Sequence, residues 1–227
     1  MTLAIDKAVE DAIFDELDRL GTGVRAISEE RGEVEIAGGG PSWLVIDPID
    51  GSLNAKRQLP PYALSIAMAT GHTMESVEFA YVADLSGASA WWATRDEGAF
   101  CDGVRLERSG DAHLEILGVE STHPRTVEEQ AAFLAATQAH RLRMIGSIAL
   151  ALCYVASERF DAMVSLRSSR SVDAAAGQLI VREAGGVVAF PDAGGLAAPL
   201  SLDMRSRVAA GADHGMLEQL LQAAADA

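Results

Sequence analysis

The chain has 227 residues, 49% hydrophobic and 22% charged, with a formal net charge of −15. That is length enough for one sizeable core, and the acidic balance argues against a nucleic-acid partner, whose phosphates are held by clustered Lys and Arg. No apolar run approaches the ~20 residues of a bilayer-spanning helix, and the start lacks a basic segment followed by an apolar one, so no membrane association and a cytoplasmic location are expected.

In chain order, apolar residues at Leu3, Val9, Ala12, Ile13, Leu17 and Leu20 predict an amphipathic helix stopped by Gly21. Strands are predicted at 24–28 and 33–36, then at Trp43–Ile46, a buried run that ends on Asp47. Segments 62–70, 77–83 and 89–93 read as an antiparallel meander with a turn at Thr70-Gly71-His72. Trp91 and Trp92 alternate on the last of these and suit sheet packing. From about residue 116 strands and helices alternate. Helices are expected at 127–139, 147–159 (capped by Ser147), 172–184 and 213–224, and strands at 141–145, 161–166, 187–190 and 207–210. With no linker or repeat, the chain reads as one domain with an α+β half over about 1–115 and an α/β half over about 116–227.

Two cysteines and five histidines show no ligand spacing, so any metal is expected to be held by oxygen. The candidate for that work is Asp47-Pro48-Ile49-Asp50-Gly51-Ser52. A buried strand ends on one acid and a second follows three residues later, with Pro and Gly turning the backbone between and after them. Both carboxylates and the Ile49 carbonyl can then face one point, a donor set suited to a hard cation such as Mg²⁺. Taken alone, the run fits a solvated turn equally well.

It has company. Glu29-Glu30 follows a predicted strand, and Val172-Asp173-Ala174-Ala175-Ala176-Gly177 opens a helix that runs into Glu183-Ala184-Gly185-Gly186. These three segments resemble the inositol monophosphatase family, and Asn54, Pro60-Pro61-Tyr62, Gly98-Ala99-Phe100 and Gly146-Ser147 fall in the family's order. The resemblance runs from Thr2 to the final helix. It implies a layered αβαβα sandwich and Mg²⁺-dependent hydrolysis of small phosphate monoesters by water activated at two or three ions. Residues Phe160-Asp161-Ala162 and Leu166-Arg167-Ser168-Ser169-Arg170-Ser171-Val172-Asp173 look most like the archaeal branch acting on inositol-1-phosphate and fructose-1,6-bisphosphate. Animal-type members carry Trp where this chain has Val172, and a Glu for the inositol hydroxyls where it has Leu166.

The resemblance assigns the metals to Glu29, Asp47, the Ile49 carbonyl, Asp50 and Asp173, and the phosphate to Asp50, Gly51 and Ser52. Asp6 would pair with the Ser52 hydroxyl and, with Glu29, orient the attacking water; alternatively, Asp6 is a first-turn acid favoured by the helix dipole. Arg143 and Arg167 are candidates for the far end of the substrate and Ile148 for a backbone contact, although surface arginines are common and Arg170 reads as one. Family members usually have a further helix and a mobile loop ahead of the segment matching Thr2–Glu10. A 3′-phosphonucleotide or NADP phosphatase, and a shortened non-catalytic protein that binds metal and sugar phosphate, are the alternatives. A homodimer is the family expectation.

Overall fold

A computed structural model describes residues 4–108, 113–120 and 123–225. Helix α1 (Ala4–Leu20) leads into β1 (Val24–Ser28), β2 (Gly32–Ile36) and β3 (Trp43–Asp50), and a short α2 (Ser52–Arg57) follows. Next come β4 (Ala63–Ala69), β5 (Val77–Asp84), β6 (Ala90–Thr94), β7 (Gly98–Cys101) and β8 (Val104–Leu106). These eight strands form one sheet in the order β2-β1-β3-β4-β5-β6-β7-β8. From β3 to β8 it is the expected antiparallel meander, extended by β3 at one end and by β7 and β8 at the other. Only β1 and β3 run parallel.

The second half contains β9 (Ile116–Glu120), α3 (Pro124–Glu129), α4 (Ala131–Ala136), β10 (Arg141–Arg143), α5 (Ile148–Ala156) and β11 (Ala162–Ser165). It continues with α6 (Ser171–Glu183), β12 (Val187–Ala189), β13 (Ala209–Gly211) and α7 (His214–Ala225). Its five strands are ordered β10-β9-β11-β13-β12. The helix expected at 127–139 is two, broken at Gln130, whose backbone (φ −100°, ψ 13°) leaves the helical region. Leu3 and Thr2 lie outside the described residues. Among those described, no helix is long and apolar enough to cross a membrane.

Three cores separate five layers. Phe14, with Ile13 and Leu17, packs on Val24, Ala26, Ile36 and Ile46 at the outer face of the large sheet. The main core lies between the sheets, where α5 and α6 contribute Leu150, Leu152, Leu179 and Ile180 against Ile27, Val45, Val82 and Trp91. Beyond the small sheet, Phe133 of α4 and Leu217 and Leu220 of α7 cover Leu117, Val119 and Val164. The order is therefore α, β, α, β, α, as the sequence resemblance implied. Each buried Leu, Ile or Val contributes roughly 1.5–3 kcal/mol by leaving water. One apolar stretch stays open: Ala8, Val9, Ala12, Ile13 and Leu17 of α1 and Ile66 of β4 line a shallow groove.

Helix α6 owes its central place to small residues. Ala174, Ala175, Ala176 and Gly177 are buried, and a Cβ at Gly177 would fall 2.7 Å from Leu152 Cβ on α5. Close approach of the two helices brings both their N-termini to the same end of the molecule. Gly177→Val is expected to force them apart and to lower the unfolding free energy by about 1–3 kcal/mol. Urea titration reads this as a lower midpoint at unchanged slope.

Candidate active site

The site begins with strand register. In the parallel pair Ser28 lies opposite Ile46, so Glu29 and Asp47 stand side by side at the carboxyl ends of β1 and β3. Asp173 reaches them from the first turn of α6. One oxygen from each of these three acids lies within 4.8 Å of the other two. Beyond Asp47 the pairing of β3 with β4 shifts register before Asp50, where Pro48 can give no backbone donor. The kink brings the Ile49 N–H back onto Asp47 Oδ1 at 3.0 Å.

Asp50 is held from the other half of the molecule. Its Oδ2 accepts from Ser147 Oγ (2.7 Å) and from the Ala149 amide (2.6 Å) at the start of α5. The same Ser147 oxygen accepts from the Leu150 amide at 3.2 Å, so the expected cap is in place. Asn54 Nδ2 donates to the carbonyls of Pro61 and Ile145, both at 2.8 Å, and ties α2 to the turn before α5. Gly51 has φ +96°, and a Cβ there would lie 3.0 Å from the Gly146 carbonyl. Both its conformation and its surroundings require glycine.

Together these residues line a cavity of about 300 Å³ formed by Glu29, Asp47, Ile49, Asp50, Gly51, Ser52, Glu120, Gly146, Ile148, Arg170 and Asp173. Its electrostatics are those of crowded acids. Burial, then the charges of Asp50, Asp173 and Glu29, push Asp47 well above the usual carboxylate range. Burial and Asp173 raise Asp50 to about 7, against the pull of Ser147 and Ala149. The chief cation is Arg170, whose Nη1 lies 2.8 Å from Glu29 Oε1 and whose Nη2 lies 3.1 Å from Asp173 Oδ1.

Of the residues singled out from sequence, the structure gathers Glu29, Asp47, Ile49, Asp50, Gly51, Ser52, Ile148 and Asp173 around this cavity. Arg143 and Arg167 are exposed and do not line it. Asp6 is buried in the first turn of α1, also outside the lining. The Ser52 hydroxyl donates to the Ile49 carbonyl at 3.0 Å. Three lining residues are additions: Gly146, Arg170 and Glu120. Arg170 reads as a surface arginine in the sequence, but it faces the acids. Glu120 ends β9 and accepts the amides of Ile145 (3.3 Å) and Gly146 (3.0 Å), and burial with the Asp50 charge raises it to about 8. The signal for it was available: Ile-Leu-Gly-Val-Glu is an apolar strand ending on an acid, like Trp-Leu-Val-Ile-Asp.

An αβαβα sandwich with carboxylates converging at strand ends and helix starts offers a donor set for hard cations, and the family match adds the class, phosphoric monoester hydrolases. The chain belongs to the inositol monophosphatase family, whose profile matches residues 2–227. It is 34% identical to the fructose-1,6-bisphosphatase/inositol-1-monophosphatase of Methanothermobacter thermautotrophicus, over 97% of this chain and 82% of that protein. It is also 34% identical to human inositol monophosphatase 2, over 96% of this chain and 76% of the relative. Among solved structures, the extragenic suppressor protein SuhB of Bartonella henselae superposes with a TM-score of 0.83 at 26% identity, covering 98% of this chain and 85% of the other. The donor chemistry fits the family's metal dependence, since the three convergent groups are all carboxylates.

Asp47, Asp50 and Glu120 have folded values above those of the unfolded chain. The metal-free fold therefore binds more protons than the unfolded chain between about pH 4 and 8, and its stability falls as pH rises through that window. Denaturation in EDTA is expected to show a less stable protein at pH 8.5 than at pH 6.

Proposed function

We propose that this chain hydrolyses small phosphate monoesters with Mg²⁺, inositol-1-phosphate and fructose-1,6-bisphosphate being the substrates to expect. The observation that carries the reading is the convergence of Glu29, Asp47 and Asp173 within 4.8 Å, with Asp50 beside them in one cavity. Four acids so placed repel one another strongly unless cations stand between them. When bound, Mg²⁺ supplies a water of lowered pKa and neutralises charge on the phosphate.

The chain's own groups have separable parts. Glu29, Asp47, Asp50, Asp173 and the Ile49 carbonyl would hold the ions. Asp47, already oriented by the Ile49 amide, would be the central ligand of that set. Gly51 and Ser52 open α2 at the cavity and present backbone to the phosphate. The Ser52 hydroxyl donates to the Ile49 carbonyl in the metal-free chain. In this reading Asp6 would take the Ser52 proton once that hydroxyl turns from the Ile49 carbonyl, and Glu29 would help to set the water's direction. Ile148 contributes backbone at the start of α5, next to the amide that holds Asp50. For a bisphosphate, Arg143 and Arg167 are proposed for the far phosphate on the strength of their charge. The names of the archaeal and human relatives support the substrate class. A cytoplasmic homodimer is the corresponding cellular reading.

Phosphate release from inositol-1-phosphate, fructose-1,6-bisphosphate and NADP, with Mg²⁺ and with EDTA, tests the reading and separates the branches. Asp47→Asn is expected to lower Mg²⁺-dependent turnover more than roughly 100-fold, since even residues that only orient metal ligands cost up to that much. Its stability in EDTA should not fall, because one of the repelling charges has gone. Full turnover in that variant would sink the assignment.

A further inference from the structure

Arg170 is the residue before α6 and, among the described residues, the only basic side chain in the cavity lining. Its guanidinium spans Glu29 and Asp173, two of the three acids whose oxygens converge. Both oxygens of Asp173 are engaged by this one residue. Oδ1 takes the guanidinium at 3.1 Å, and Oδ2 takes the Arg170 backbone amide at 2.8 Å. The amide contact is part of the cap at the start of α6, whereas the contact at Oδ1 is made by a mobile side chain that can exchange for another cation. On Glu29 the guanidinium holds Oε1 at 2.8 Å.

A divalent ion must approach a carboxylate oxygen to about 2.1 Å, inside the position of a hydrogen-bonded guanidinium and carrying twice its charge. A guanidinium bridging Glu29 Oε1 and Asp173 Oδ1 occupies an acceptor position on each acid and repels a second cation entering between them. The arginine side chain is about a third exposed (31%) and stands beside an open cavity of about 300 Å³, so it has room to leave. We propose that Arg170 is a resident counter-ion that a divalent metal must displace from Glu29 and Asp173, and that this exchange sets the metal affinity of the site. The proposal rests on the metal-cage reading above. In the metal-free chain the arginine offsets part of the cage's charge and keeps two of its ligands in register; on loading, the ion takes over both duties.

The test compares wild type with Arg170→Gln by calorimetric titration with MgCl2 and MnCl2, and by thermal unfolding in EDTA. The variant keeps the backbone amide on Asp173 and loses the charge. It is expected to bind the ions about tenfold more tightly, the loss of a charge-assisted contact that no longer has to be broken. It should also unfold at a lower temperature than wild type in EDTA, with the gap closing at saturating metal. Equal or weaker metal binding by Arg170→Gln, in a wild type that does bind, would overturn the exchange while leaving the cage intact. No binding by either protein would overturn the cage, and the exchange with it. Should Arg170→Gln not fold, Arg170→Lys keeps the charge and loses the two-point fork. Binding by the lysine variant must then exceed that of wild type, or the proposal fails.

Discussion

Repulsion among buried carboxylates is the constraint around which the rest of this molecule is arranged. Glu29, Asp47, Asp50, Asp173 and Glu120 meet in one cavity. At an effective dielectric constant of 20, two charges 4 Å apart repel by about 4 kcal/mol. No stable fold carries several such terms unanswered. The answer comes from every surrounding element: amides of Ile49, Ile145, Gly146, Ala149 and Arg170, the Ser147 hydroxyl and the Arg170 guanidinium. Protons on Asp50 and Glu120 near neutral pH relieve the remainder.

The source of these donors explains the architecture. Asp47 and Glu29 come from the large sheet, whereas the groups that hold Asp50 and Glu120 come from the start of α5 and the turn before it. Asp50 and Glu29 of the first half are held by groups of the second, whereas Glu120 and Asp173 are held within their own half. The small residues of α6 let α5 pack close enough for one hydroxyl and one amide to reach across. Helix N-termini also place positive ends of the backbone dipole toward the acids. The site lies where carboxyl ends of strands meet helix starts, the usual location of ligands in sheets flanked by helices.

Much of this was legible in the sequence because the pattern is local. A buried apolar run that stops on an acid, as at Asp47, marks a strand delivering a carboxylate, and Asp173 ahead of a small-residue helix marks another. The layered fold followed from the family resemblance that these runs carry. Register was not legible: nothing local says that Ser28 faces Ile46, and that pairing alone makes neighbours of Glu29 and Asp47. Glu120 was missed because its strand is short and followed by no Pro-Gly turn. Arg170 was misjudged because charge in a sequence does not say which way a side chain points; its partners lie on another strand and one helical turn ahead. Arg143 and Arg167, chosen for the same charge, face solvent.

One atom described above limits what can stand at its position. Ser147 Oγ receives the Leu150 amide and gives its single proton to Asp50. The residue there must accept and donate through the same short side chain. Aspartate would cap the helix equally well but brings no proton to the shared contact, and asparagine divides the two roles between atoms set apart. Glycine satisfies neither. Only serine and threonine meet both demands, so the alphabet at position 147 has two letters, chosen not by the helix or the cage but by their overlap.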